Sequence, residues 1–263
     1  MKASIWIVTY NNPQDLNANL DSLMQYWQPD LLHLEVNVIN NHSHYQLNSG
    51  YWDQVKTWHN RLRGDNSLGH LARNWNQALI QGFGDLNNPR SDVVICSQDD
   101  VLWQPGWCTQ MLTALQNYTL VTQGVGDAVV VYRADAVKRI GLWDERFAPS
   151  FYHDGDYFLR ALMYNRECSS INDPAHGRIL NPLDYSFAHV PAANAARVEA
   201  KNLSYGRARI PHQVWQHKWT VSPIHWTPEL INSPPMNTLC KNFVTYPHFE
   251  MAVQDLAGKN YLI

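Results

Sequence analysis

The sequence predicts an α/β fold built on a central, mainly parallel sheet, and three features carry that expectation. Short apolar runs of strand length occur at residues 3–9, 33–39 and 93–97. Segments with apolar residues at helical spacing lie between and after them. Each run also empties at once into polar residues: Thr9–Asn12, Asn40–Ser43 and Gln98–Asp100. Strands alternating with helices form parallel βαβ units with right-handed crossovers. Such sheets bind ligands beyond the carboxyl ends of their strands. Three polar segments far apart in sequence are therefore expected to line one crevice.

Residues 3–9 give the first strand, broken by Asn11, Asn12 and Pro13. A helix over 14–26 follows, with Leu16, Leu20, Leu23 and Met24 on one face. His33–Ile39 is the second strand, and residues 69–82 are a helix that presents Leu71, Trp75, Ala78, Leu79 and Phe83. Val93–Ser97 is the next strand. Beyond it the spacing predicts a helix over 107–117, a strand over 128–132, a short helix over 134–140 and a longer one over 156–165. From about residue 167 the chain is rich in Pro, His, Asn and Trp, and only 192–205 has a helical pattern. Four prolines within 223–235 argue against a long regular element there. The expected organisation is one domain over 1–220, with a nucleotide-binding half at 1–105 and an acceptor half at 106–220. A tail over 221–263 packs on its surface.

Composition narrows the function classes. With 263 residues, 45% of them hydrophobic, the chain can bury one large core. A net charge of −3 provides no overall basic field for nucleic acid. No apolar run reaches the roughly 18–20 residues of a spanning helix. The expected setting is the cytoplasm, with the protein soluble or attached peripherally to a membrane. The 4 cysteines form no C-x-x-C pair and no zinc spacing, so they read as free thiols in a reducing compartment. The 11 tryptophans and 13 tyrosines are expected mainly in the core, with a few left to stack on sugar rings at a cleft mouth.

Several short motifs occur in one order. They are Ile5-Trp-Ile-Val-Thr-Tyr-Asn11, Val38-Ile-Asn-Asn-His-Ser43, Asn66-Ser-Leu-Gly-His-Leu-Ala-Arg-Asn74, Ser97-Gln-Asp-Asp-Val101, Gly141-Leu-Trp-Asp-Glu-Arg-Phe147 and His153-Asp-Gly-Asp-Tyr157 with Arg160 after it. In this order the sequence resembles family 2 glycosyltransferases, over roughly residues 3–220. The resemblance implies the GT-A (Rossmann-like) fold: a mainly parallel sheet flanked by helices, here with a C-terminal extension. It also implies a metal-dependent inverting enzyme that moves a hexosyl or deoxyhexosyl group from a nucleoside-diphosphate sugar to a glycan or other hydroxyl acceptor.

The resemblance assigns roles residue by residue. Asp100 stands at the metal-binding end of the D-x-D segment, where Mn²⁺ or Mg²⁺ would neutralise the departing diphosphate. Gln98 and Asp99 would contact ribose or metal-bound water. Asp99 and Asp100 also suit the simpler role of capping the turn after the strand. Thr9, Tyr10 and Asn11 would meet the base or ribose, and Arg73 the diphosphate. Asn40 and Asn41 stand where many relatives have Asp. Their amides suit the N3–H and O4 of a pyrimidine, so UDP or dTDP is favoured over GDP. Asp154 would be the general base for the acceptor hydroxyl. Asp156 is expected to cap a helix that begins there. His153 replaces the family's usual Glu. His189 is a second metal-ligand candidate, with a loop histidine as the alternative. Lys218 is a candidate for a phosphate contact, while Trp215 and Trp219 suit packing.

Two other functions compete. A sugar-phosphate nucleotidyltransferase shares the α/β nucleotide sheet, but no glycine-rich loop follows the first strand, where Thr9-Tyr-Asn-Asn-Pro13 stands instead. A catalytically decayed carbohydrate-binding protein is the other, and the presence of Asp100 and Asp154 argues against it.

Overall fold

The first strand, β1 (Lys2–Thr9), is buried at every position but the first. A strand covered on both faces needs a nearly continuous apolar run, not an alternating one. Ala3, Ile5, Trp6, Ile7 and Val8 supply it. β2 (His33–Asn40), β3 (Val55–His59) and β4 (Val93–Gln98) run parallel to it in the order β3-β2-β1-β4. Here the computed structural model describes residues 1–10, 12–41, 47, 49–51, 53–60, 71–124, 126–147, 152–167, 179–180, 186–192, 213 and 215.

The sheet continues past β4. β7 (Val129–Arg133) pairs antiparallel with β4, β6 (Leu120–Gln123) antiparallel with β7, and β8 (Ile179–Leu180) parallel with β6. Among the described residues the result is a seven-stranded sheet in which β7 alone runs against the rest. A separate two-stranded sheet joins β5 (Leu102–Trp103) to β9 (Ala188–His189). Strands from both sides of residue 105 share the seven-stranded sheet. Beyond Ala192, the expected helix over 192–205 lies outside the described residues. So does the tail over 221–263.

Helices cover both faces. α1 (Pro13–Gln25) and α3 (Trp107–Asn117) bury Leu16, Leu20, Met111 and Ala114 against Ile5, Ile7 and Ile95. On the other face lie α2 (Leu71–Phe83), α4 (Ala134–Ile140) and α5 (His153–Glu167). They bury Trp75, Leu79, Val137 and Tyr157 against Trp6, Val94 and Val130. α2 sits so close to the sheet that a Cβ on Gly82 would lie 2.6 Å from Val94 Cγ2 and 2.8 Å from Ser4 Oγ.

Buried and half-buried tryptophans make up much of this core, and several of their indole N–H groups find acceptors, as a polar group taken from water requires. Trp103 donates to Asn19 Oδ1 at 3.0 Å, Trp58 to Asn37 Oδ1 at 3.0 Å, and Trp143 to Tyr132 Oη at 3.0 Å. Trp215 is fully buried, with its ring 6.3 Å from Phe147 and 5.9 Å from Tyr152. Lys218 and Trp219 lie outside the described residues.

One boundary moves in a way that matters for the site. α5 begins at His153 and not at Asp156, so Asp156 does not cap it. Tyr152, just before the helix, has the left-handed φ of 61°, and its carbonyl accepts the Asp156 N–H at 2.9 Å. Asp156 lies inside the first turn, fully buried, with its Oδ2 3.0 Å from Arg160 Nε. Arg160 also donates to the carbonyls of Ile140 at 2.7 Å and Leu142 at 2.9 Å. The pair therefore ties α5 to the chain that leaves α4.

Candidate active site

Strand register aligns the polar ends. Thr9 lies beside Asn40, Asn40 beside His59, and Val8 beside Gln98. Backbone hydrogen bonds continue the alignment past the strands, from Asn41 N to Thr9 O at 3.1 Å and from Asn60 N to Asn40 O at 2.9 Å. β7 enters antiparallel at this same edge, so Asp127, two residues before it, arrives next to Gln98.

Asp99 and Asp100 follow β4. Thr9 Oγ1 donates to Asp99 Oδ2 at 2.7 Å, which ties the end of β1 to the end of β4. Asp99 is half-buried and Asp100 is buried. Burial pushes the Asp99 carboxyl up to about 7, and the charge of Asp100 adds to the rise. Hydrogen bonds from Thr9 and Asn12 pull in the other direction. Tyr10 is half-buried next to this pair's Thr9 partner in sequence, and Asn11 lies outside the described residues.

The two amides at the end of β2 differ in their surroundings. Asn40 Nδ2 is 3.0 Å from His59 Nδ1. Asn41 Oδ1 accepts from Asn60 Nδ2 at 3.0 Å. The same Asn60 nitrogen is 3.2 Å from Asn74 Oδ1 and 3.0 Å from Gln77 Oε1. An amide nitrogen has two hydrogens, so this cluster holds more acceptors than it can satisfy at once. Asn41 Nδ2 is buried and, among the described residues, has no hydrogen-bond partner.

Arg73 has an acidic neighbour. Its Nε is 3.4 Å from Glu145 Oε2, with both side chains about one-fifth exposed. Asn76 Nδ2 donates to Glu145 Oε1 at 2.9 Å and to Trp143 O at 2.9 Å, while its Oδ1 accepts from Trp143 N at 2.8 Å. α2 is thereby fastened to the Trp143–Glu145 segment.

Asp127 is a residue that sequence reasoning missed. It is buried, and three donors from three distant segments reach it. Trp75 Nε1 lies 2.5 Å and His153 Nε2 2.9 Å from Oδ2, and Gln98 Nε2 lies 2.9 Å from Oδ1. Burial alone would raise its pKa. The charge and hydrogen bond of His153, with the Trp75 bond, outweigh burial and hold Asp127 below the usual carboxylate value. The signal available in sequence was an acid in a glycine turn, Gly124-Val-Gly-Asp127, placed before a buried strand. Gly126 has a φ of 59°, and a Cβ there would lie 2.8 Å from Asp154 Oδ2. So the backbone of this turn abuts the Asp154 carboxylate while its next side chain holds His153. Asp154 itself is half-buried in the first turn of α5.

His189 sits apart from these carboxylates in its bonding. It is exposed on β9, paired with Leu102, and its Nδ1 is 2.8 Å from Gln104 Nε2. Among the described residues, no group of three or more His, Cys, Asp and Glu side chains converges on a metal position. Asp99 and Asp100 nevertheless suit Mg²⁺ or Mn²⁺. Such cations take hard oxygen ligands, commonly one or two carboxylates with phosphate oxygens and water. The raised Asp99 is what two adjacent, poorly hydrated carboxylates produce, and a cation would relieve it.

Comparison with known proteins identifies the family. The profile described as "Glycosyl transferase family 2" matches residues 4–167, well over half of the chain, and the chain belongs to that family. No curated protein matches it in sequence. Among solved structures it is similar to Staphylococcus aureus TarS residues 1–349, at 13% identity and a TM-score of 0.49, covering 81% of this chain and 70% of that one. It spans 44% of the longer TarS structure. A mannosyltransferase from Pyrobaculum calidifontis, PcManGT, solved with GDP-Man and Mn²⁺, aligns at 13% identity and a TM-score of 0.46. That alignment covers 82% of this chain and 69% of the other. Among the described residues, no helix is long and apolar enough to cross a membrane.

Proposed function

We propose that this glycosyltransferase is a divalent-cation-dependent, inverting enzyme that takes a nucleoside-diphosphate sugar as donor and a hydroxyl group as acceptor. The observation that carries the reading is the hydrogen-bonded chain Gln98–Asp127–His153. It links the Asp99–Asp100 carboxylates at the end of β4 to Asp154 at the start of α5, on one edge of one sheet. Transfer needs charge neutralisation on one side of the anomeric carbon and a proton acceptor on the other.

In this reading Asp100, with Asp99 beside it, would hold Mg²⁺ or Mn²⁺. When bound, the cation supplies Lewis-acid neutralisation of the diphosphate. Thr9 fixes the Asp99 carboxylate, and Gln98 and Tyr10 would meet the nucleoside. Asn41 Nδ2, buried and without a partner among the described residues, offers a donor to a base carbonyl, and the amides Asn40 and Asn41 in place of a carboxylate make UDP or dTDP the expected nucleotide. Asn40 would act through His59, to which it is already bonded. Arg73 would meet the diphosphate through its terminal nitrogens while Glu145 holds Nε. His189 would offer Nε2 to the metal, with Gln104 at Nδ1 orienting the ring.

Asp154 takes the proton of the acceptor hydroxyl as its oxygen attacks C1. The bond from C1 to the phosphate oxygen breaks, the nucleoside diphosphate leaves, and one direct displacement inverts the anomeric centre. The free, buried thiols of Cys96 and Cys108 suit a reducing, cytoplasmic setting.

A thermal-shift screen of UDP, dTDP, GDP and CMP, with and without Mn²⁺, tests the donor side. A ligand that binds only the native state raises apparent stability by mass action. The expected result is cation-dependent stabilisation by UDP or dTDP. Tighter calorimetric binding of GDP would overturn the base assignment. A product of retained configuration would overturn the mechanism.

A further inference from the structure

We propose that Asp127 is the positioning residue of this site: by gripping His153 while Gly126 abuts Asp154, it fixes the first turn of α5 so that the Asp154 carboxylate faces the crevice. The inference rests on the reading of Asp154 as the proton acceptor.

Four observations support it. The Gly126–Asp127 turn touches two consecutive residues of α5. Its backbone meets Asp154, since a Cβ on Gly126 would lie 2.8 Å from Asp154 Oδ2, and its carboxylate meets His153 at 2.9 Å. Next, Asp127 is anchored twice more, to Trp75 of α2 at 2.5 Å and to Gln98 of β4 at 2.9 Å. The turn therefore cannot shift without breaking bonds to the sheet and to α2. Third, the helix start needs an external hold. Tyr152 enters it with a φ of 61°, a conformation that costs free energy for a residue with a Cβ and persists only where surroundings impose it. Fourth, His153 is buried, with its ring 5.6 Å from that of Trp143, so it acts within the fold and not on substrate.

The hydrogen-bond chemistry fixes the ring. An ionised carboxylate only accepts, so His153 Nε2 carries the hydrogen. A glutamate in place of this histidine would set a second carboxylate against Asp127 at hydrogen-bond distance, and the pair would repel. Histidine at 153 and aspartate at 127 are thus a matched pair.

The matched pair gives the test. His153→Glu is expected to lower kcat about 10²-fold, the effect of a misplacement of about 1 Å, with the donor KM unchanged. Asp127→Asn in the same chain offers the introduced carboxylate an amide donor, and this double variant should recover kcat to within about tenfold of wild type. His153→Gln, whose amide nitrogen can replace Nε2–H, should also stay within about tenfold. Rates are taken per folded molecule, with folding checked by thermal unfolding. A merely structural role would move stability and leave kcat of the folded fraction intact. Wild-type kcat in His153→Glu overturns the proposal, as does a double variant that fails to recover. A donor KM that rises in step overturns it too, and His153→Gln as impaired as His153→Glu would give the ring a chemical role instead. If the wild type transfers no sugar from any donor, the proposed function fails separately. Carboxyl-carbon NMR then still decides the positioning: the Asp154 resonance should move in His153→Glu and return in the double variant, and a resonance that stays put refutes it.

Discussion

Asp156→Asn separates architecture from chemistry two residues away from Asp154. In the fold, Asp156 is fully buried and bonded to Arg160 Nε at 3.0 Å, and the Arg160 side chain is 1% exposed. The guanidinium also serves the Ile140 and Leu142 carbonyls and lies 4.9 Å from the Tyr157 ring centroid. Asparagine keeps an acceptor for Nε but removes the negative charge in contact with a cation taken out of water. Breaking a buried pair by removing one partner costs about 3–5 kcal/mol, because the other charge remains. At about 2–4 °C per kcal/mol for a protein of this size, the melting temperature should fall by about 6–20 °C. The assay is urea unfolding followed by Trp fluorescence, with a thermal scan beside it. Well below its melting temperature the variant should keep near-normal turnover. A loss under about 1 kcal/mol, the worth of an exposed pair, would refute the reasoning. So would a dead enzyme that unfolds like wild type.

Four further outcomes are expected. Asp154→Asn should lower turnover by about 10²–10⁴-fold, the contribution of a positioned base, with nucleotide affinity by calorimetry little changed. Asp100→Ala should abolish Mn²⁺-dependent stabilisation by nucleoside diphosphate in a thermal-shift assay, and turnover that survives in chelator would remove Asp100 from the cation site. Asp99 rises from its ordinary 3.8 to about 7 on folding, so the folded state binds that proton more tightly. Its contribution to stability is full below about pH 4 and is lost as pH rises through about 7, and Asp99→Asn should flatten that slope in urea unfolding of the nucleotide-free protein in chelator. Gly82→Ala should destabilise by about 1–3 kcal/mol, the usual cost of overpacking, read as a lower urea midpoint.

The elements legible in sequence were those with a long, one-sided or continuous apolar signal. α1, α3, α4, β1, β2 and β4 fall within a residue or two of their expected bounds. β6 is only four residues long, and a run that short has no period to read. β3 mixes buried, half-buried and exposed positions at the sheet's edge, and its Lys56 and His59 dilute any apolar pattern. α5 was expected to start at Asp156 because aspartate is a good cap. The helix instead starts three residues earlier, where Tyr152 turns the chain and Asp127 holds His153.

Fold class, family and the polar strand ends could all be read along the chain, because they are local properties: hydrophobic period, chain punctuation and short motifs. The partners of the site residues could not, and three-dimensional packing chose them. Arg73 meets Glu145 across 72 positions, Thr9 meets Asp99 across 90, and Asp127 meets Trp75, Gln98 and His153 across 52, 29 and 26. Such pairs depend on strand order and on the crossing of helices over the sheet. No local pattern encodes them, because a side chain's hydrogen bonds are chosen by what the folded chain brings within about 3 Å.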